Sequence, residues 1–132
     1  MKNNYIKSQY QQIWIENEII YNLYDSGLKS IDINIAKHLV EDRLKISDKV
    51  RRPIFIDTSN VKSITREAEK YLATQNATKY LSAAAILTHS RVAKLLYRIY
   101  ISLSRPKIPT KVFSDKEEAL GWLEQHKVER LS

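Results

Sequence analysis

The sequence predicts a single α/β domain with a mixed, mostly parallel sheet and elements in the order β-β-α-β-α-β-α-β-α. Three observations predict it. The runs Ile54-Phe55-Ile56 and Ala83-Ala84-Ala85-Ile86-Leu87 are short and lack polar alternation, as strands buried on both faces do. Between and after them lie segments with three- and four-residue apolar spacing, each opened by a capping residue. Strands that alternate with helices return parallel to one another through right-handed crossovers.

Each element follows from local chemistry. Residues 10–24, YQQIWIENEIIYNLY, are rich in Ile, Trp and Tyr, and Asn17 between two glutamates suits a tight turn, so the stretch reads as an antiparallel hairpin. After Gly27, Asp32 caps a helix that carries Ala36, Leu39, Val40 and Leu44 on one face and ends near Ser47. Pro53 precedes the strand Ile54–Ile56. Thr65 then caps a second helix with a stripe of Ala68, Tyr71 and Leu72, which gives way around Asn76. Ala83–Leu87 reads as a central strand.

Ser90 opens the strongest helical signal, with Val92, Leu95, Leu96, Ile99 and Leu103 on one face, predicted to pack on the sheet, and Arg91, Lys94 and Arg98 opposite. Arg105-Pro106 stops it. Thr110–Phe113 forms the last strand, and Ser114-Asp115-Lys116-Glu117 has the spacing of a capping box before the final helix. Gly121 inside that helix suggests a close contact, since it otherwise costs about 1 kcal/mol relative to Ala.

At 132 residues the chain is long enough for one core and needs no second domain. Residues 1–9 read as a flexible N-terminal segment, 10–127 as the domain and 128–132 as a tail. The absence of cysteine excludes disulfides and thiolate-based metal or nucleophile sites and is compatible with a reducing compartment. The N-terminus has no apolar signal region, and no stretch approaches the roughly 18 apolar residues of a membrane span. A cytoplasmic protein is expected.

The net charge of +7 favours acidic partners, or else is a solvated basic surface, since no run of five like charges concentrates it. With only Gly27 and Gly121, neither a dinucleotide-binding nor a P-loop phosphate cradle can form. His38, His89 and His126 lie on separate elements, so no metal or other cofactor is expected. Asp57, Ser59 and His89 bring a hydrolase triad to mind, but no nucleophile elbow accompanies them. No enzymatic activity is expected.

Asp57-Thr58-Ser59-Asn60-Val61-Lys62-Ser63-Ile64-Thr65 resembles the D-x-S-x-V-x-x-[IM]-[DT] stretch of STAS domains, the SpoIIAA-like fold. Val112-Phe113-Ser114-Asp115-Lys116-Glu117-Glu118-Ala119-Leu120-Gly121-Trp122-Leu123 is similar to the ending of uncharacterised bacterial STAS/SEC14-like proteins. The resemblance implies a SpoIIAA-like fold over nearly the whole chain and a regulatory protein-interaction role. It also implies that the serine-phosphorylation switch of such antagonists is missing, because Glu67 stands where the modified serine would be and the glycine and leucine after it are absent.

In open α/β sheets, ligands bind beyond the carboxyl ends of the strands. That rule selects two corners, Asp57, Thr58, Ser59 and Asn60 with Ser63, Thr65 and Glu67 following, and Thr88-His89-Ser90-Arg91. They offer groups suited to a partner or an anion, and they are also the residues such corners use to satisfy their own backbone. The basic residues Arg91, Lys94, Arg98, Arg105 and Lys107 could meet phosphates or anionic lipid, or form the solvent side of a packed helix. The leading expectation is a non-enzymatic protein-interaction domain acting through the surface from Ser59 to Glu67. The alternative is a SEC14-like module for a small anionic or lipid ligand, favoured if a large apolar cavity lies beneath the Ser90–Ser104 helix. Nucleic acid is the least favoured partner.

Overall fold

A computed structural model describes residues 4–58 and 60–128. Strands β1 (Tyr5–Lys7), β2 (Gln11–Glu16) and β3 (Ile19–Tyr24) form an antiparallel meander. The β2–β3 turn has Asn17 at φ 53° and Glu18 at φ 61°, the double left-handed conformation that matches the twist of a two-residue hairpin. Strand β1 lies within the nine residues expected to be a flexible N-terminal segment and pairs with β2 as an edge strand. Then follow β4 (Ser30–Ile31), α1 (Ile33–Ser47), β5 (Arg52–Asp57), β6 (Ser63–Ile64), α2 (Arg66–Leu72), β7 (Leu81–Leu87), α3 (Arg91–Ser104), β8 (Thr110–Phe113) and α4 (Lys116–Glu124).

The six-stranded sheet has the order β1-β2-β3-β5-β7-β8, with β3, β5, β7 and β8 mutually parallel. The short β4 and β6 pair with each other. Because β3, β5, β7 and β8 advance across the sheet in one direction, right-handed crossovers put α1, α2 and α3 on the same face. Helix α4 follows the last strand and covers the other face. Ile54 accordingly packs with Ile13, Ile20 and Ile46, whereas its neighbour Phe55 packs with Ala83, Phe113, Ala119 and Leu123. This is the burial on both faces that the unbroken apolar runs predict.

Caps fix the helix starts. Asp32 accepts from the Ile35 N–H at 2.8 Å, Thr65 from Ala68 at 3.1 Å and Ser90 from Ala93 at 3.1 Å. For α4 the cap is Asp115, accepting from Glu118 at 2.9 Å, and not Ser114. A carboxylate outbids the hydroxyl beside it at a helix N-terminus because the aligned peptide dipoles favour its negative charge. Pro53 lies inside β5, not before it, at a register shift toward β7 between Arg52 and Ile54. An irregular ladder is where a residue lacking an N–H is tolerated.

The close contact expected at Gly121 is absent: a Cβ built there meets nothing within 4 Å. Gly121→Ala should therefore stabilise the domain by about 1 kcal/mol through the lower entropy of its unfolded chain. Urea denaturation would read this as a higher midpoint at unchanged slope, and an unchanged or lower midpoint would refute it.

Candidate functional site

The two predicted corners meet at the carboxyl edge of the sheet. Thr58 donates both its backbone N–H (3.2 Å) and its hydroxyl (2.9 Å) to the Leu87 carbonyl, which binds the end of β5 to the end of β7. The other polar groups are also occupied. Asn60 donates to the Ser26 carbonyl at 3.1 Å, Ser63 to the Ser30 hydroxyl at 3.0 Å, and Thr88 accepts from the Ser90 N–H at 3.3 Å. Thr65 and Ser90 are helix caps. Asp57 is half-buried, while Glu67, His89 and Arg91 are exposed; Ser59 lies outside the described residues. These corners spend most of their hydrogen-bonding capacity on the fold.

Helix α3 departs from expectation. At about 100° per residue, Ala93, Tyr97, Tyr100 and Ser104 fall on one side, and this side faces the sheet. Tyr97 is buried against Ile86 and Val112. The stripe expected to be buried instead faces out: Val92 is 70% exposed, Leu103 64%, Leu95 58%, Leu96 52% and Ile99 45%. The rotation has a physical cause. The carboxyl edge beneath the helix is partly polar, and Tyr97 meets it with a ring that packs and a hydroxyl that bonds the Thr58 side chain. A leucine there would leave that edge without its partner.

Turning a helix leaves the angles between its side chains unchanged, so Arg91 and Arg98 adjoin the apolar stripe along its Leu95 edge while Lys94 lies opposite it, as the spacing dictates. Arg91 and Arg98 are exposed, Lys94 is half-buried, and Arg105 and Lys107 continue the exposed charge past the helix end. Across from the stripe, Ile64, Arg66 and Glu69 form the other wall of a groove of about 300 Å³ with Leu96, Ile99 and Leu103. Arg66 ties the two walls, reaching Ser104 at 3.2 Å and Glu69 at 3.6 Å. The segment after the Asp57–Asn60 corner and the outward face of α3 are thus one continuous surface.

Beneath α3, between the sheet and α1, lies a second space of about 110 Å³. Its walls are mainly aliphatic, with Ile54, Ile56 and Ile86 from the sheet and Leu39 from α1, and Tyr24, Tyr97, Tyr100 and Arg43 add polar groups. Burial pushes Tyr24 well above the ordinary phenol range, aided by Tyr97 and Tyr100. Tyr100 rises to about 12 through burial and then through Glu69 and Tyr97, and Tyr97 rises through burial, partly offset by its bond with Thr58. All three stay neutral and able to donate. Arg43, 4% exposed, donates to the carbonyls of Lys79 at 2.8 Å and Ala77 at 2.6 Å, and burial lowers its pKa to about 10.

Sequence reasoning did not single out Arg43 or Tyr24, and it placed Tyr97 and Tyr100 beside the basic face, not in a buried space. The histidines stay apart: His38 lies against Tyr10 and His126 against Trp122, and among the described residues no cluster of three or more His, Asp or Glu side chains could hold a metal. No helix among the described residues is long and apolar enough to cross a membrane.

Residues 13–127 match a family described as a domain of unknown function, DUF7793, and the chain belongs to that family. A structural search finds a crystal structure of an uncharacterised protein of the DUF3478 family with a SpoIIAA-like fold from Shewanella loihica PV-4. It is 17% identical, the match covers 86% of this chain and 91% of that one, and the TM-score is 0.57. The SpoIIAA-like fold implied by the sequence is the fold of this domain. No curated protein matches the sequence.

Proposed function

We propose that this DUF7793 domain is a non-enzymatic binding module that docks a protein partner on the outward face of α3 and in the groove between α3 and residues 61–69. The observation that carries the reading is the exposure of Val92, Leu95, Leu96, Ile99 and Leu103 along one helix face. Large apolar side chains gathered in one patch mark contact surfaces, because each contributes roughly 25 cal/mol per Å² when a partner removes it from water. The groove adds direction. Arg66 and Glu69 on its far wall place opposite charges beside apolar side chains, an arrangement that recognises a shaped polypeptide better than a uniform surface.

The reading keeps the expected surface from Ser59 to Glu67 as part of the contact and adds α3 to it. The corner hydroxyls act as fold elements in this account, and regulation follows from occupancy of the groove without a phosphoserine, Glu67 being a fixed charge. A photo-crosslinker at Leu96 should give one discrete adduct with a partner chain, and the adduct should be lost, at least tenfold in yield, in Glu69→Lys and in Leu103→Asp. Failure to form any adduct, adducts indifferent to both substitutions, or turnover of a substrate by the purified protein would each refute it.

One observation favours a second reading, in which the same face lies on an anionic lipid surface. Arg91 and Arg98 are exposed along one edge of the apolar stripe, as basic residues are in helices that rest in a membrane interface. Salt-sensitive cosedimentation with phosphatidylglycerol vesicles, abolished by Leu95→Ser with Leu96→Ser, would replace the protein partner with lipid.

A further inference from the structure

We infer that the space beneath α3 is a binding site for a small monocarboxylate with a short apolar body, whose carboxylate is anchored by Arg43. The inference goes beyond the docking face of α3, and neither depends on the other.

Its first support is the charge of the site. Arg43 lines the space, is 4% exposed, and has no carboxylate partner among the described residues. Its two assigned hydrogen bonds go to neutral carbonyls, those of Ala77 and Lys79. A guanidinium carries five N–H donors in a planar fork that fits a carboxylate with two parallel bonds. A buried cation met only by dipoles is costly, and the lowering of its pKa by desolvation is the same cost in another form. An anion that entered the space would relieve it.

The second support is preorganisation. The two carbonyls belong to the turn before β7, far from Arg43 in sequence, and they hold the guanidinium in one orientation before any ligand arrives. A long side chain already fixed in place loses little further entropy on binding.

The third is the rest of the wall, which selects the ligand's body. Ile54, Ile56, Ile86 and Leu39 offer aliphatic surface, and Tyr24 and Tyr97 lie among them. Buried cavities near 150 Å³ are filled by a molecule the size of benzene, so about 110 Å³ suits roughly four or five heavy atoms in all, a carboxylate carrying one or two further carbons. A phosphate dianion fits poorly, because a second negative charge would be buried with one guanidinium to balance it.

The test uses the full chain with propanoate and, as neutral counterpart, propanamide, followed by NMR of the isoleucine, leucine and valine methyls. The carboxylate should shift the methyls of Ile54 and Ile86 and bind at least tenfold tighter than the amide. Arg43→Gln should bring the two to parity, and Ala84→Leu, which fills the space from the sheet, should abolish both. The comparison of the two probes on unsubstituted protein stands even if Arg43→Gln does not fold. Equal affinity for acid and amide, shifts confined to the methyls of Val92, Leu95 and Ile99 on the outer face of α3, or no shift with either probe at millimolar concentration would overturn the assignment.

Discussion

Ile54→Ala should destabilise the domain by about 3–4 kcal/mol, within the range for emptying a fully buried aliphatic site. Ile54 is 1% exposed, sits on β5 in the middle of the parallel strands, and packs on Ile13, Ile20, Ile46 and Leu81. The loss has two parts. Three methylene-sized groups lose their transfer free energy, and the vacated volume adds to a space of about 110 Å³ that Ile54 already lines, so the walls have less to collapse onto. For a domain of this length the midpoint of thermal unfolding should fall by roughly 10 °C or more. The control is Ile99→Ala on α3, where the same residue type is 45% exposed and alanine is the better helix former. Its unfolding midpoint should stay where it is or rise slightly. Similar losses at both positions would mean that α3 is held by its apolar stripe after all, and the docking face would have to be abandoned.

That contrast marks what could be read from sequence. Interactions that close within four residues were legible: the caps at Asp32, Thr65 and Ser90 and the turn at Asn17–Glu18 all rest on a side chain or dihedral choosing its nearest backbone partner. Among the helix caps the one miss, Asp115 for Ser114, was a choice between adjacent capping residues. Strand Ala83–Leu87 was legible because an unbroken apolar run can be satisfied only by cover on both faces. The rotation of α3 was not legible. Periodicity shows that Val92, Leu95, Leu96, Ile99 and Leu103 share a face, but the neighbour to which that face turns depends on Thr58, Ile86 and Val112 from three other elements.

The candidate site divides in the same way. The corner positions follow from strand ends, so both corners were found. Their occupancy depends on pairings such as Asn60 with Ser26 and Ser63 with Ser30, which join segments about thirty residues apart and which no local pattern announces. Arg43 is the clearest case. On α1 it falls beside Leu39 and Val40, yet charge makes a solvent position the default reading, and only the carbonyls of Ala77 and Lys79 permit its burial. One signal was available: Arg43 occupies the i+4 position from Leu39, on the apolar side of the helix, where a residue that is not apolar needs a specific partner.

Gln11→Leu should cost about 2–3 kcal/mol, although leucine is the more hydrophobic side chain, because it strands groups that the glutamine satisfies. Gln11 is 1% exposed on β2; its amide nitrogen donates to the Leu39 carbonyl and to Asp42, each at 3.1 Å, and its oxygen accepts from Asn22 at 2.8 Å. Asn22, itself 5% exposed, would keep only a long 3.4 Å bond to the Gln12 carbonyl. The network joins the hairpin to α1, so its loss should loosen the docking of that helix as well as the pair. If the cost is a stranded donor and not a lost shape, Gln11→Leu combined with Asn22→Leu should recover at least 1 kcal/mol relative to the sum of the single changes. A double-mutant cycle by urea denaturation would measure this. Simple additivity would show that glutamine is held there for its volume, and that the antiparallel edge of the sheet is tied to α1 by packing alone.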